Sequence, residues 1–341
     1  MVTNPVEVPS SRRAQLAITL VDAVGRLAAG TTVLVPVESP AEVGVIDAWC
    51  RGNGHSVLAV HATAVEVYRG RLSDLDSMIP AERMPGRRLW LYANFHCNLA
   101  CDYCCVSSSP RADPRVLGVD TVATLVADAV KAGAVEVLVT GGEPLMHPAI
   151  DEVVGICAAA LPTVMLTNAM LFRGSRLRLL EALPRDGLTL QVSLDSATPD
   201  LHDAHRGAGT WSRAVEGIRM ARSMGFTVRI AMTVARRDDA QEEQVRQLAV
   251  SMGIPPEHMV VRHIARQGEA TSGIVLSRAT LVPEVCATAE GVWWHPIGAT
   301  DPAMRVSTDL LNLGASIEAI REEYVGYRRR GDMLAASFPC A

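Results

Sequence analysis

Between Arg88 and Ile264 the sequence changes hydrophobic period again and again. Short β-branched or apolar runs at 88–95, 135–140, 163–167, 188–195, 227–234 and 258–264 have strand character. Between them, at 119–132, 148–160, 175–183, 211–224 and 239–252, the pattern is helical. Strand–helix alternation of this kind predicts a parallel sheet buried on both faces, curled into a partial (β/α)6 barrel. In such barrels the working residues sit on the loops that follow the strands. The expected fold class is therefore α/β, with the barrel preceded by a small β-α-β-β two-layer domain.

The first of those loops carries Asn94-Phe95-His96-Cys97-Asn98-Leu99-Ala100-Cys101-Asp102-Tyr103-Cys104, three cysteines at the spacing C-x3-C-x2-C. Thiolates are soft ligands of the kind iron–sulfur clusters select. Three on one loop can hold three irons of a [4Fe–4S] cluster and leave the fourth open to a small molecule. An open position is what separates a catalytic metal site from a structural one. Zinc is the alternative, but its sites pair C-x2-C units and no second unit follows. Buried unligated cysteines are the other alternative. Cys105 reads as a bystander, and Cys50, Cys157, Cys286 and Cys340 make no second motif.

Thr140-Gly141-Gly142-Glu143-Pro144 follows the second barrel strand. Two glycines let backbone approach a ligand closely, carbonyls there can accept from an ammonium, and Glu143 adds negative charge. A tight turn capping the next helix is the structural alternative. Gln191-Val192-Ser193-Leu194-Asp195 ends the fourth strand, with Ser193 and Asp195 on one face. Hydroxyl and carboxylate suit ribose hydroxyls, and an N-cap at Asp195 is the alternative. Asn168, at the end of the third strand, can reach the same ligand. Arg262, on the sixth strand, can pair a ligand carboxylate, a substrate phosphate or a structural acid.

The cysteine spacing, the aromatic Tyr103 just before the last cysteine, and Gly141-Gly142-Glu143-Pro144 further on resemble the radical S-adenosylmethionine (radical SAM) superfamily. The resemblance implies a [4Fe–4S] cluster on Cys97, Cys101 and Cys104. It implies one-electron cleavage of S-adenosylmethionine to a 5′-deoxyadenosyl radical that abstracts hydrogen from a substrate. It places Gly141, Gly142 and Glu143 at the methionine amino group, Ser193 and Asp195 at ribose or methionine, and Tyr103 against adenine. The segment 192–225, with Ser193-Leu194-Asp195, His205-Arg206-Gly207 and Gly217-Ile218, resembles two subgroups. One is the GTP-cyclising enzyme of molybdenum-cofactor biosynthesis; the other is the peptide-modifying enzymes with a cysteine-rich extension. Only Cys286 and Cys340 follow the barrel, which argues against an auxiliary cluster. The substrate expected is a small metabolite or cofactor precursor. A peptide recognised by the N-terminal domain is the alternative, and a non-catalytic iron–sulfur sensory protein a third reading. A flavodoxin or ferredoxin is the expected electron donor.

The domains read as 1–72, a linker at 73–87 rich in Pro80, Pro85 and Gly86, the barrel at 88–276, and a barrel-closing segment at 277–341. The second half of the first domain, Asp47-Ala48-Trp49-Cys50 through Gly54-His55-Ser56-Val57-Leu58, resembles a sulfur-carrier (TusA-like) domain. The carrier cysteine of that family belongs at the start of the first helix, near Arg12 or Arg13, and no cysteine precedes Cys50. With 49% hydrophobic and 20% charged residues, the chain can bury a full core. Its net charge of -5, with no run of Lys or Arg, argues against nucleic acid. No apolar run reaches membrane-spanning length. Met1-Val2-Thr3-Asn4-Pro5 has no signal-peptide pattern, so a cytoplasmic enzyme is expected.

Overall fold

A computed structural model describes residues 8–25, 27–28, 30–70, 84–235, 238–278 and 280–330. Most of the expected linker and the segment holding Cys340 lie outside these. The chain forms two units: Met1–Met84 with Ser277–Val282 and Arg321–Pro339, and Pro85–Leu276 with Pro283–Ile320 and Cys340–Ala341.

In the first unit, α1 (Ser10–Gly25) and α2 (Pro40–Gly52) cover one face of a sheet of β1 (Thr32–Pro36), β2 (Ser56–Val60) and β3 (Ala64–Tyr68), ordered β1-β3-β2. Leu16, Leu20 and Val24 recur every four residues, so α1 turns one apolar stripe inward. They meet Val35, Ile46, Val65 and Val67. Each such buried side chain contributes roughly 1.5–3 kcal/mol. Cys50 belongs to this core, and burial pushes its thiol up to about 12. Arg12 closes the helix pair by a two-pronged ion pair to the buried Glu42, at 2.8 Å in each arm.

In the second unit, strands and helices alternate as β4 (Arg88–Tyr92), α3 (Val119–Lys131), β5 (Glu136–Thr140), α4 (Ile150–Ala160), β6 (Thr163–Thr167), α5 (Gly174–Ala182) and β7 (Leu188–Ser193). Then come α6 (Pro199–Arg206), α7 (Thr210–Ser223), β8 (Thr227–Val234), α8 (Asp239–Ser251) and β9 (Met259–His263). The six strands β4 to β9 are parallel neighbours in chain order, the open arc of a partial barrel. Val137, Val139, Leu190, Val192, Ile230 and Met232 face the helices and are fully buried. That double burial is why these strands read as near-continuous apolar runs.

Helix α6 is absent from the strand–helix count made on sequence. At eight residues it is too short to show a helical period. Its signals are local: Thr198 at the N-cap, Pro199 in the first turn, and Gly207 at φ 108 beyond its end. The C-terminal segment adds β10 (Cys286–Thr288), β11 (Gly291–Trp293) and β12 (Arg305–Ser307), followed by α9 (Leu313–Arg330). β10 runs parallel beside β4, so the sheet continues past β4 to nine strands. Trp293 and Trp294 are buried there. Among the described residues no helix is long and apolar enough to cross a membrane.

Candidate active site

The cysteine loop leaves the C-terminal end of β4 and is held from three sides. On the β5 side, Gly142 N donates to Asn94 O at 3.0 Å and Glu143 N to His96 O at 3.0 Å. A Cβ at Gly141 would meet Asn94 Oδ1 at 2.4 Å, and one at Gly142 would meet His96 O at 2.4 Å. The two glycines thus serve backbone contact with the cysteine loop itself. On the β9 side, Glu269 N donates to Cys104 O at 2.9 Å. Gly268, at φ 59, leaves space only because a Cβ there would lie 2.3 Å from that same oxygen.

The third side is α6. Asp102 N donates to His205 O at 3.3 Å, and the His205 ring bonds the Asp102 carboxylate at 2.9 Å. The Arg206 guanidinium lies 5.3 Å from the centre of the Tyr103 ring, a cation–π contact. Tyr103 OH donates to Asp195. Asp195 is the hub of this side. It accepts from Arg206 Nε at 2.6 Å and Nη2 at 3.2 Å and from Thr233 N at 3.0 Å. His202 Nδ1 accepts from Asp195 N at 3.2 Å.

These contacts set the charges. Asp195 is 1% exposed, and burial alone would raise its pKa. The Arg206 charge and the donated hydrogen bonds outweigh this and hold the carboxyl below its ordinary range. Glu143 is fully buried, and no cation among the described residues lies beside it. Asn168 N, Thr167 Oγ1 and Leu145 N donate to it at 2.8, 2.7 and 3.3 Å, yet burial pushes it up to about 7. Its carboxylate is committed to the end of β6 and the turn after β5. The Asp195 carboxylate is likewise committed to protein donors. Ser193 is partly exposed on the inner face of β7.

The cysteines meet donors suited to thiolate sulfur. Leu99 N donates to Cys97 Sγ at 3.4 Å and Ser108 N to Cys104 Sγ at 3.3 Å. Asn168 Nδ2 lies 3.9 Å from Cys97 Sγ and 2.9 Å from Asn98 Oδ1. Burial, then the charge of Glu143, pushes Cys97 up to about 12, and the two other thiols add to the shift. Burial also raises Cys101, which Arg206 opposes. Cys97 and Cys101, each raised by burial and by the charge of neighbouring cysteines, are thiols that a cationic guest would help to ionise. No group of three His, Cys, Asp or Glu among the described residues converges on a single metal ion. A [4Fe–4S] cube makes a different demand, since each thiolate binds its own iron. The donor set therefore fits the cluster better than it fits zinc.

A cavity of about 540 Å³ opens beside the loop, with Cys101, Tyr103, His205, Ala235, Ile264 and Glu269 in its wall. Arg262 is on the inner face of β9, where Nε donates to Thr233 Oγ1 at 2.9 Å. The structure thus brings Cys97, Cys101, Tyr103, Cys104, Gly141, Gly142, Glu143, Asn168, Ser193 and Asp195 to the strand ends around one loop. Sequence reasoning gave no role to Arg206, His205, Asp102 or Thr233. The signal for His205 and Arg206 was the short Thr198-Pro199…Gly207 helix.

Residues 94–249 match the radical SAM superfamily. The mycofactocin maturase MftC of Mycobacterium tuberculosis (strain CDC 1551 / Oshkosh) is 32% identical over 161 residues, 47% of this chain and 40% of that protein. The GTP 3',8-cyclase of Cyanothece sp. (strain PCC 7425 / ATCC 29141) is 37% identical over 142 residues, 38% of this chain and 42% of the cyclase. The chain thus spans less than half the length of these curated relatives. Among solved structures, native anSMEcpe with bound AdoMet superposes with a TM-score of 0.54 at 12% identity, covering 71% of this chain and 84% of that one. That likeness is one of fold. Over residues 94–249 this chain is thus similar to the radical SAM superfamily, a family of enzymes that use a [4Fe–4S] cluster and S-adenosylmethionine.

Proposed function

We propose that the chain is a radical SAM enzyme acting on a small metabolite or cofactor precursor. A [4Fe–4S] cluster held by Cys97, Cys101 and Cys104 would supply one electron to S-adenosylmethionine, breaking its C5′–S bond to give methionine and a 5′-deoxyadenosyl radical that takes hydrogen from the substrate. The observation that carries this is the cysteine loop: three thiols at a strand end, two with N–H donors on their sulfurs, beside the 540 Å³ cavity. The protein's part is to bind, orient and exclude water.

In this reading the carbonyls of Gly141 and Gly142 receive the methionine amino group, with Glu143 holding their turn in place. Ser193 offers its hydroxyl to the ribose, and Asn168 steadies Cys97. Asp195 acts through Tyr103, which it fixes against the adenine, and Arg262 serves an anionic group. The N-terminal unit is a sulfur-carrier-like fold without sulfur transfer: α1 has no cysteine and Cys50 is a core residue. Its role would be docking or recognition. The enzyme would work in the cytoplasm with a flavodoxin or ferredoxin as electron donor, its barrel at 88–276 completed by 277–341.

A peptide substrate is the second reading. It is favoured by relatives named for peptide products, among them the antilisterial bacteriocin subtilosin biosynthesis protein AlbA of Bacillus subtilis, 31% identical over 157 residues. Anaerobic reconstitution tests the function. The wild type should bind iron and sulfide, absorb at roughly 410 nm as thiolate-held clusters do, and release 5′-deoxyadenosine under reduction. A Cys97→Ala, Cys101→Ala, Cys104→Ala variant that loads normally would end the proposal. A loaded wild type that releases no 5′-deoxyadenosine would favour a sensory iron–sulfur protein.

A further inference from the structure

Part of the barrel's inner face carries polar and charged side chains. Strand alternation puts Gln191 and Ser193 of β7, Arg229 and Thr233 of β8, and Arg262 of β9 on that face. The register pairs Gln191 with Arg229 and Thr233 with Arg262. Closed (β/α)8 barrels fill such positions with bulky branched apolar side chains.

The charges on the two walls differ. On the β4–β5 wall, Arg88 Nε donates to Glu136 at 2.9 Å and Nη1 to Glu284 at 3.3 Å. Trp90 Nε1 also donates to Glu284. Both acids are therefore engaged by Arg88. On the β8–β9 wall, Arg229 Nε donates to Gln191 Oε1 at 2.6 Å and Arg262 Nε to Thr233 Oγ1 at 2.9 Å. Arg229 Nη2 is buried and donates to no protein acceptor. A buried donor on a cation left without an acceptor is costly. Burial pushes the Arg229 guanidinium below its ordinary range; Arg88 and Arg262 push the same way, and Glu136 opposes them.

We propose that the β8 wall seats an anionic group of the substrate, a carboxylate or a phosphate, with Arg229 as its anchor. This rests on the radical SAM reading and names the substrate class for that site. The guanidinium fork matches either anion in two-pronged fashion, and an incoming anion satisfies the donor the protein leaves unused. Placement separates this group from the methionine carboxylate of S-adenosylmethionine. Thr233 N touches Asp195, the hub that holds Tyr103. Arg229 lies four residues earlier on the same strand, roughly 13 Å deeper at about 3.3 Å per residue.

Calorimetric titration of the reconstituted protein with inorganic phosphate, and separately with succinate, tests this. The wild type should bind at least one of them saturably in the millimolar range, and which one it prefers identifies the anion. Arg229→Gln should weaken that binding at least tenfold while changing the Kd for S-adenosylmethionine less than twofold. Arg229→Lys keeps the charge but loses the fork, and should fall between; it also serves if the Gln variant does not fold. No saturable binding of either anion, unchanged binding in both variants, or a parallel loss of S-adenosylmethionine affinity would overturn the assignment. A wild type that makes no 5′-deoxyadenosine would defeat the function proposed above and still leave the anion titrations readable.

Discussion

Two of the segments that brace the cysteine loop solve the same problem in opposite ways. The turn at 141–146 and the segment 195–206 each bury a carboxylate at a strand end. Glu143 is surrounded by neutral donors and rises to about 7. Asp195 is bound by Arg206 and stays below its ordinary range. Burial is nearly equal at the two, 0% and 1% exposed. The difference therefore lies in the partner: hydrogen bonds reduce the cost of burying a charge, and an adjacent cation can reverse it. The β5 side grips by backbone approach, the β7 side by an ionic hub.

The comparison breaks most visibly at Arg206. Arg206→Met leaves Asp195 buried without its cation, which should cost about 3–5 kcal/mol in urea unfolding. Iron loading of the loop should fall with it, because Tyr103 loses the guanidinium over its ring. A loss under 1 kcal/mol would show that the hydrogen bonds alone hold Asp195.

Glu143 gives the next largest effect. Its folded pKa, about 7, lies above the ordinary carboxylate value. The folded state then binds more protons than the unfolded one between roughly pH 4.5 and 7. Its contribution to stability is complete below that window and is lost as pH rises through 7, on the order of 3 kcal/mol at about 1.36 kcal/mol per pKa unit. Urea titrations across pH 5–8 should show this slope in the wild type and a flatter one in Glu143→Gln. Equal slopes would mean Glu143 is ionised throughout.

Gly142→Ala tests the backbone grip. The added methyl would lie 2.4 Å from His96 O, so the turn or the loop must move. About 1–3 kcal/mol of stability should be lost, with weaker iron loading as the second readout. An unchanged melting temperature and full loading would remove the close approach as the reason for glycine.

At His202 the pH slope has the other sign, and stability falls at acid pH. Burial, with Arg206 next, lowers its pKa to about 4. The unfolded state then binds more protons between roughly pH 6.5 and 4, so this contribution is intact above 6.5 and lost on acidification. Histidine NMR should show the His202 ring neutral at pH 5.5, and its titration near 6.5 would refute the assignment.

Much of the barrel was legible because its strands are buried on both faces and its helices on one, and those two periods survive in a single chain. The helices at 119–131 and 239–251 start where the spacing put them, and the strands at 163–167 and 227–234 match at both ends. The helix at 199–206 did not show, because two turns are too few to make a period and its evidence is confined to its caps. The cysteine triplet was legible as chemistry, since spacing along one loop fixes which sulfurs can share a cluster. The partners of the carboxylates were not. Arg206 reaches Asp195 across eleven residues and a turn, and Thr233 reaches it from the next strand.

What the sequence determined by itself is the alternation that makes a parallel sheet and the three thiols at the end of its first strand, because both depend on local spacing. What only the tertiary structure decided is the electrical state of the residues around them. A carboxylate's charge, a guanidinium's unused donor and a glycine's missing methyl take their meaning from neighbours tens of residues away, and folding alone brings those together.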